Sequence, residues 1–445
     1  MDTLRSAKVA VIGAGISGLV SAWKLQREDK CVTLYEPGKL GGVLQTRISR
    51  GFTLETGPNV FAAKKDFLAF LDGIDLTPEI VWPALDRYKQ YVWFNGKPNP
   101  VPRTLSGFIS TSLIASIDKL RLPFRIARKP RLDRAFDDQS ISDFFEPLLG
   151  QHAVRALLDP ALQGIFGGSI DRLSARSVFP SIWRSRDAGY SIWQFMRRRP
   201  KGDKRRAFLL RGGNQRLVER LRECVASTVV VDNAVTAVEF NTENDGLRSC
   251  KWKVFDASGS VADFDRVVVA TSGVATAGFI GSLAPELSER LKRFTAVPLV
   301  VVHCGVPTEE LSCSDGFGML FPSASDARIL GVMYNSVLFP HVAPSGQELL
   351  TVCLGGFKDP GVIDLSECEL LEIVQTELKR FLGIRSIDFI GVKRWPRAIP
   401  QYELGHHHLV EEMHSVEREN EGIRFVGADI GGVGVPDRVA QALSV

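Results

Sequence analysis

Three glycines near the start of the sequence have the types and spacing needed to bind a dinucleotide. Gly13, Gly15 and Gly18 form the pattern G-x-G-x-x-G, directly after the β-branched run KVAVI and at the start of a helical pattern. The first glycine permits a tight turn, the second lets the backbone approach a pyrophosphate, and the third lets helix and strand pack closely. The N-terminus of the helix then faces the anion. The pattern therefore predicts a strand–turn–helix phosphate site.

An acidic residue stands where the ribose of a dinucleotide needs a hydrogen-bond acceptor. Glu36 lies 18 residues after Gly18 and ends the predicted second strand, CVTLYE. A carboxylate at this place accepts hydrogen bonds from ribose hydroxyls. The glycine pattern alone would be weak evidence, because a glycine-rich turn can be purely structural. Its combination with a strand, a helix and an acid at the right spacing favours a dinucleotide site.

Further glycine-rich segments indicate that the dinucleotide is FAD rather than NAD. Gly41 and Gly42 follow the acidic residue closely, and Thr56 and Gly57 belong to the next strand-like segment, GFTLETGP. Far along the chain, VGADIGGVGVPD (426–437) supplies another glycine turn before a helix. Two glycine-rich helix starts suit a long ligand that is held at its pyrophosphate and at its isoalloxazine ring. The sequence therefore predicts FAD as the cofactor.

The second glycine turn contains four more candidate cofactor contacts. Amide groups near Gly434 and Val435, at the N-terminus of the last predicted helix, would stabilise negative charge around N1 and C2=O of reduced flavin. Gly427 and Asp429 precede them, and Asp429 is expected near the ribityl–phosphate region. A purely structural turn is the competing interpretation of Asp429.

The composition is that of an ordinary globular protein. The 445 residues include 55 Lys plus Arg and 51 Asp plus Glu, a formal net charge of +4, with 44% hydrophobic and 24% charged residues. These values exclude a disordered, collagen-like or coiled-coil chain, and the net charge is too small to indicate a nucleic-acid partner. Seven cysteines without a CxxC pair argue against a disulfide framework and for a reducing compartment. No signal peptide or membrane-spanning segment is predicted.

Several longer segments match one known family. VIGAGISGL, and LGG followed by LETGPN, are shared by the flavin amine oxidase superfamily. Four further segments support the match: QGIFGGSIDRLSARSVFP (163–180), FPHVAPSGQELLTVCLGG (339–356), KRWPRAIPQYELGH (393–406) and GGVGVPD (431–437). On these residues the sequence resembles, over nearly its whole length, the oxygen-dependent, FAD-containing protoporphyrinogen oxidase family.

The resemblance and the element pattern together predict an α/β fold with α+β inserts. We expect a discontinuous Rossmann-like FAD-binding domain, a mixed-sheet substrate-binding domain and a helical, basic, membrane-associated insert. The predicted bounds are 1–75, 206–292 and 393–445 for the FAD-binding domain, 76–102 and 293–392 for the substrate domain, and 103–205 for the insert.

The resemblance implies that the protein oxidises protoporphyrinogen IX to protoporphyrin IX in haem biosynthesis. Flavin would take hydride in three two-electron cycles and be reoxidised by dioxygen, with hydrogen peroxide as product. Coproporphyrinogen III oxidase of the same fold is the nearest alternative. Two others are another flavin amine oxidase or desaturase, and a flavin-binding protein without activity. No protein side chain is identified as catalytic.

The resemblance also implies which residues bind the macrocycle. An apolar clamp falls on Leu320, Met333 and Cys353, although the family often has an aromatic residue in place of Cys353. Backbone of a glycine-rich loop over 164–168, including Gly164 and Phe166, would face the pyrrole N–H groups.

One substrate position departs from the family pattern. Gln90 stands where the family usually has an arginine that pairs with a propionate. Arg87 or Lys89 is a candidate to compensate for it.

Three more cofactor contacts follow from the resemblance. Ser17 lies in the first glycine motif, and Trp395 lies in the RWP segment. Val235 is expected to contact adenine through its backbone, with an ordinary core valine as the competing interpretation. Near the C-terminus, Arg438 stands where the family commonly has cysteine.

A basic stretch of the insert favours an anionic membrane surface as partner, with the protein cytoplasmic and peripheral on the inner face of the cell membrane. The residues concerned are Lys119, Arg121, Arg125, Arg128, Lys129, Arg131 and Arg134, against Asp118 and Asp133. A second basic run, RRRPKGDKRR (197–206), is equally consistent with a solvated face. Besides a porphyrinogen and dioxygen, ferrochelatase in a product hand-off and a second copy of the chain are candidate partners.

The adjacent histidines His406, His407 and His408 are not expected to bind a metal ion. Neighbouring histidines in a regular element cannot all face one ion, and no Cys, Asp or Glu lies at ligand spacing along the chain. The sequence therefore predicts no metal site.

Overall fold

The computed structural model describes residues 6–84, 88–128, 137–198, 206–226, 228–240, 251–311 and 315–445. Arg87, Lys129, Arg131, Asp133 and Arg134 lie outside these ranges, as does most of the second basic run. The strands in the described residues are β1 (Lys8–Ile12), β2 (Cys31–Tyr35), β3 (Thr46–Ser49), β4 (Phe52–Glu55), β5 (Phe61–Ala62), β6 (Ile80–Val81), β7 (Lys89–Phe94), β8 (Lys97–Pro100), β9 (Ala207–Leu210), β10 (Val229–Val231), β11 (Val235–Phe240), β12 (Trp252–Asp256), β13 (Val261–Phe264), β14 (Arg266–Val269), β15 (Ala296–Pro307), β16 (Gly316–Leu320), β17 (Ile329–Tyr334), β18 (Gln347–Gly355), β19 (Asp388–Pro400) and β20 (Ile423–Phe425).

The helices in the same residues are α1 (Ile16–Gln26), α2 (Lys65–Asp72), α3 (Leu105–Ser110), α4 (Ser116–Ala127), α5 (Ile141–Leu149), α6 (Gln151–Ala153), α7 (Asp159–Phe166), α8 (Ala175–Val178), α9 (Pro180–Asp187), α10 (Ile192–Arg198), α11 (Arg216–Cys224), α12 (Gly273–Ala277), α13 (Pro285–Lys292), α14 (Asn335–Leu338), α15 (Glu367–Leu382), α16 (His406–Glu419), α17 (Ala428–Gly431) and α18 (Val435–Ala442).

A five-stranded parallel sheet brings together distant parts of the chain. Its strand order is β10-β2-β1-β14-β20, and every pair is parallel. The strands are short apolar runs, as expected for a sheet covered on both faces. Helices α1, α2, α11 and α18 cover one face, and the three-stranded sheet β11-β12-β13 with α13 and α16 covers the other. The carboxyl ends of β1, β14 and β20 therefore meet at one edge.

The second large sheet is mixed and has seven strands. Its order is β19-β15-β18-β17-β16-β7-β8, with β16 and β7 parallel. One face packs on α15 in a continuous apolar core. That helix begins with a capping box between Ser366 and Glu369 and ends at Gly383 in the left-handed conformation, which satisfies backbone groups at both ends. The opposite face packs in part on β4 and on the end of α7.

Short helices form a third cluster with its own small core, built from α5, α7, α8 and α9. The predicted mixed α/β fold is confirmed, whereas the predicted domain bounds stay a prediction. Within the described residues, no helix combines the length and the apolar character needed to cross a bilayer.

Candidate functional site

The first glycine turn leaves no room for side chains at two of its three glycines. Gly13 has φ +98°, and its N–H donates to the carbonyl of Tyr35 at 2.8 Å. A Cβ on Gly18 would lie 1.8 Å from the carbonyl oxygen of Gly13. The turn between β1 and α1 is therefore closed by backbone packing that any other residue would break.

Gly15 is different, because a Cβ built on it meets no atom within 4 Å. It is the N-cap of α1, and no side chain caps the helix there. Uncapped N–H groups at a helix N-terminus, beside open space, fit an anionic group such as a pyrophosphate. Ser17 lies in the first turn of the same helix and is buried.

Glu36, which follows the neighbouring strand β2, forms hydrogen bonds that hold the glycine turn in place. Its Oε2 accepts the N–H of Ala14 at 2.8 Å and its Oε1 accepts the N–H of Gly38 at 3.0 Å. Each carboxylate oxygen keeps a further lone pair for a ribose hydroxyl. The Glu36 N–H in turn donates to the carbonyl of Val231. Val235 is the first residue of β11, four residues after Val231, and is partly buried.

Gly41 and Gly42 complete this side of the cradle. The N–H of Gly41 donates to the carbonyl of Ala14 at 2.8 Å, and a Cβ on Gly41 would lie 2.7 Å from the Val218 side chain. Both glycines have positive φ. The segment thus lies directly across the first glycine turn.

The second glycine turn lies at the same edge of the parallel sheet. A Cβ on Gly13 would lie 2.9 Å from the Thr271 side chain, and one on Gly427 would lie 3.9 Å from the Thr271 carbonyl oxygen. Helix α18 packs on α1, with Val435 in their shared core. Gly434 is the N-cap of α18 and has no side-chain cap. The two helix starts, which are far apart in the sequence, therefore lie at the same edge of the parallel sheet.

Two charged side chains, one buried and one partly buried, lie beside the second turn. Asp429 accepts the N–H of Gly273, and burial raises the pKa of its carboxyl group. The Arg438 side chain lies near Tyr402 and Asp429, and burial lowers its pKa. Among the described residues, its solvent-inaccessible Nε has no hydrogen-bond partner. An unsatisfied buried donor beside the predicted flavin end fits a ligand that supplies acceptor atoms.

The predicted macrocycle clamp lies on the face of the seven-stranded sheet that is opposite α15. Leu320 pairs with Gly331, and Gly331 pairs with Cys353. Directly paired residues point to the same face, and so do residues two apart in one strand. Met333 therefore shares this face with Leu320 and Cys353. All three side chains are partly accessible, and apolar surroundings raise the pKa of the Cys353 thiol to about 12.

The same row reaches the predicted cofactor side. Val301 pairs with both Cys353 and Lys393, so Lys393 and Trp395 share the face of the clamp. The Trp395 Nε1–H donates to the carbonyl of Thr56 at 2.6 Å. The Lys393 ammonium lies 4.3 Å above the Trp395 ring. Clamp and Thr56 segment therefore border one continuous surface.

Close packing of Gly57 holds that segment in place. A Cβ on Gly57 would lie 1.9 Å from the carbonyl oxygen of Val43. Nearby, Glu55 is buried and accepts hydrogen bonds from the Asn214 N–H at 2.8 Å and from the Thr46 hydroxyl. His303, on the clamp face of β15, lies with Nε2 3.0 Å from the Glu55 carbonyl.

The end of α7 faces the clamp. A Cβ on Gly164 would lie 3.0 Å from a methyl group of Leu320, so these two predicted residues are brought together. The prediction of a loop over 164–168 is wrong for its first half, because α7 continues to Phe166 and only then turns at Gly167 in the left-handed conformation. The last carbonyls of a helix lack intrahelical partners, so this end can still accept N–H groups.

Phe166 is not brought to the clamp. Its ring is buried in the core of the helical cluster, 5.6 Å from the Tyr402 ring. Its carbonyl accepts the Gln401 side-chain amide at 2.7 Å. Its side chain therefore stabilises the end of α7 from the side of the helical cluster, away from the clamp.

Gln90 lies at the outer end of the clamp face, paired with Gly318. Its neighbour Lys89 forms an ion pair with Asp315 at 2.5 Å. Lys89 is therefore a poor candidate to replace the missing arginine as the partner of a propionate. Arg103 lies 5.0 Å over the Tyr88 ring, two residues before Gln90. The structure thus offers an arginine that the sequence argument missed, because cation–ring stacking between β7 and the segment after β8 has no local sequence signal.

Two other site residues were not predicted, and only one of them could have been found from the sequence. Lys393 stands two residues before Trp395 in a strand, so period-two alternation would have placed it on the same face. The contact between His303 and Glu55 joins residues 248 apart in sequence, and no local pattern indicates it.

Comparison with known proteins agrees with this geometry. Residues 16–443 match the family described as flavin containing amine oxidoreductase. The chain is 29% identical over 461 residues to a Bacillus subtilis coproporphyrinogen III oxidase, covering 97% of this chain and 96% of the relative. It is 26% identical over 478 residues to Arabidopsis thaliana protoporphyrinogen oxidase 2, covering 99% and 93%.

A solved structure shares the fold. An Exiguobacterium sp. 255-15 protein superposes with a TM-score of 0.79 at 24% identity, covering 99% of this chain and 97% of that one. The family match spans almost the whole chain, from the start of α1 through the clamp face to the second glycine turn. The chain therefore belongs to the family of flavin-containing amine oxidoreductases, and its cofactor is FAD.

Proposed function

We propose that the protein oxidises a porphyrinogen to a porphyrin, with protoporphyrinogen IX as substrate and coproporphyrinogen III as the alternative. The observation that carries the proposal is the clamp face. Leu320, Met333 and Cys353 form an apolar surface on one side of a sheet, and that surface continues to Trp395 and the FAD-binding Thr56 segment. Relatives named for both substrates cover nearly the whole chain.

The residues of the site bind and orient rather than react. FAD held at the two glycine turns would supply the hydride-accepting chemistry, with dioxygen as the final oxidant, itself reduced to hydrogen peroxide. The clamp would bury the macrocycle against apolar side chains and exclude water. The exposed end of α7 at Gly164 presents helix-terminal carbonyls to the pyrrole N–H groups. Arg103 is our candidate for a substrate carboxylate, and Lys393 adds positive charge to the same face.

A paired fluorescence assay tests the substrate. Purified, FAD-loaded protein is incubated in air with protoporphyrinogen IX or coproporphyrinogen III, with heat-denatured protein as the autoxidation control. We expect faster porphyrin formation with protoporphyrinogen IX, accompanied by hydrogen peroxide. Faster turnover of coproporphyrinogen III would establish the alternative, and no turnover of either with FAD present would contradict both.

Leu320→Asp should lower kcat/KM while FAD stays bound. Burying a leucine side chain is worth about 1.5–3 kcal/mol, so we expect a loss of roughly ten- to hundredfold. Val261→Asp is the matched control, because Val261 is half exposed on the separate three-stranded sheet. If Leu320→Asp keeps the wild-type kcat/KM and its FAD absorbance, Leu320 does not contact the substrate.

We also propose that helix α4 rests on an anionic membrane surface. Ile117, Leu120 and Phe124 lie three and four residues apart on this helix and are 51%, 71% and 80% exposed. Such an apolar stripe on a basic helix favours an interfacial position. Trp193 and Met196, on the neighbouring helix α10, are also exposed.

Charge and apolar surface should both contribute to membrane binding. Arg125 is paired with Asp118 at 2.8 Å, so Arg121 and Arg128 are the better arginines to neutralise. Replacing both by glutamine should cost about 2 kcal/mol, or roughly thirtyfold in affinity for phosphatidylserine vesicles. Vesicle co-sedimentation measures this.

The apolar arm of the same experiment uses Leu120→Ser with Phe124→Ser, which should weaken binding to the same vesicles. Ile48→Ser is the control, because Ile48 is 70% exposed on β3. Equal sedimentation of the wild-type protein and both α4 variants would show that α4 is an ordinary solvent-exposed helix and does not bind the membrane.

A further inference from the structure

Two histidines and an aspartate from distant parts of the chain converge at the start of α16. His407 Nε2 lies 2.7 Å from Asp137 Oδ2, and His408 Nε2 lies 3.2 Å from the same oxygen. The three atoms lie within 4.8 Å of one another. Asp137 is 270 residues away from His407 in sequence.

A second carboxylate lies behind each imidazole. His407 Nδ1 is 3.4 Å from Asp138 Oδ2, and His408 Nδ1 is 3.6 Å from Glu411 Oε2. In metal sites, a carboxylate behind a histidine fixes its tautomer so that the opposite nitrogen presents a lone pair. Each histidine here has a carboxylate on its Nδ1 side at ion-pair distance, without a hydrogen bond at His407 Nδ1, and both Nε2 atoms are directed to Asp137 Oδ2. A small shift of either carboxylate towards Nδ1 would complete the orienting arrangement, which is an observation beyond the proximity of the three groups.

The charges around the cluster suit a divalent cation. Asp137, Asp138 and Glu411 supply three carboxylates. Arg176 pairs with Asp137 through Oδ1 and with Glu411, which leaves Oδ2 of Asp137 directed to the histidines.

Two imidazole nitrogens and one carboxylate oxygen select the kind of ion. Zn²⁺ binds such donors at about 2.0–2.2 Å in a tetrahedron, so neighbouring donor atoms would lie about 3.4 Å apart. The three donor atoms now lie within 4.8 Å of one another, so each separation needs to change by at most about 1.4 Å to reach that geometry. Mg²⁺ and Ca²⁺ prefer oxygen ligands throughout.

We propose that Asp137, His407 and His408 bind Zn²⁺, with water as the fourth ligand and with Asp138 and Glu411 as orienting partners. The ion would join the segment before α5 to the start of α16, and so fasten the helical insert to the FAD-binding part of the chain. The expectation of no metal rested on ligand spacing along the chain and on the argument that neighbouring histidines cannot all face one ion. Here two of the three histidines face the same carboxylate, and that carboxylate comes from another segment. The proposal does not depend on the identity of the substrate.

Metal titration of the FAD-loaded, tag-free protein tests the proposal. After treatment with a chelator, the protein is titrated with ZnCl₂ by calorimetry. We expect saturable binding of one equivalent and a raised melting temperature. X-ray absorption should show nitrogen and oxygen ligands only, and Co²⁺ should give the visible spectrum of a tetrahedral site. Absence of saturable binding would overturn the proposal.

Variants separate this site from adventitious binding. His408→Ala and Asp137→Asn each remove a ligand from a largely exposed position and should abolish the one-equivalent binding, while FAD absorbance shows that the fold is intact. Glu411→Gln should raise the dissociation constant by about 10- to 100-fold, as expected for an orienting partner. His414→Ala is the control, because His414 lies on the same helix and contacts Glu417 instead. Unchanged zinc binding in both ligand variants would also overturn the proposal.

Discussion

Gly15→Val is expected to abolish FAD binding while the protein stays folded. A Cβ on Gly15 meets no protein atom within 4 Å, so the valine side chain has room in the apoprotein. That room lies at the uncapped N-terminus of α1, where the pyrophosphate must approach the backbone. Visible absorbance of the purified variant should show no bound flavin, and all flavin-dependent turnover should be lost.

Gly18→Val provides the contrast for this prediction. Its Cβ would lie 1.8 Å from the Gly13 carbonyl oxygen, so this variant should lose stability and soluble expression as well as FAD. Far-ultraviolet circular dichroism and a urea transition distinguish the two variants. A Gly15→Val protein that retains the flavin spectrum would contradict the phosphate-site assignment.

Acidification is expected to destabilise the protein more than surface carboxylates alone would explain. Burial lowers the pKa of His303 and of His406 to about 4, against 6.5 in the unfolded chain. The unfolded state therefore binds more protons between pH 6.5 and pH 4, and stability falls as the pH falls through that range. Each histidine contributes about 3 kcal/mol to this loss.

Buried Glu55 acts in the opposite direction. Burial raises its pKa from 4.5 to about 7, so the folded state holds a proton that the unfolded state has released. Its contribution is complete below pH 4.5 and is lost as the pH rises through 7. One carboxyl group thus offsets about half of the effect of the two histidines, leaving a net fall of about 3 kcal/mol from pH 7 to pH 4.

Urea denaturation at several pH values tests this balance. Glu55→Gln removes the opposing contribution and should make the fall about twice as large. Ile48→Ser is the control, because it changes an exposed side chain and no titratable group. An unchanged slope in Glu55→Gln would mean that Glu55 is ionised in the folded protein.

The local parts of the site were predictable from the sequence. The turn from β1 through α1 to β2 follows from glycine conformation, apolar periodicity and the position of Glu36, all of which act over a few residues. The clamp residues came from a resemblance, and their common face depends on antiparallel register across β16, β17 and β18. Apolar runs show that strands exist but do not fix which strand pairs with which.

Long-range contacts explain what the sequence did not reveal. The extension of α7 to Phe166 depends on packing against Tyr402, which outweighs the tendency of its glycine-rich end to form a loop. The cluster of Asp137 with two histidines depends on how the insert meets α16. Such contacts are set by tertiary packing, so no pattern within one segment reports them.

The order of the strands in the parallel sheet has a consequence for synthesis of the protein. Strand β20 and helix α18 follow every other element in the chain, yet β20 lies beside β14 and α18 packs on α1. On the ribosome, where folding proceeds from the N-terminus, the first glycine turn emerges early but lacks its partner at the sheet edge. We therefore expect cofactor capture only after β20 and α18 have been synthesised.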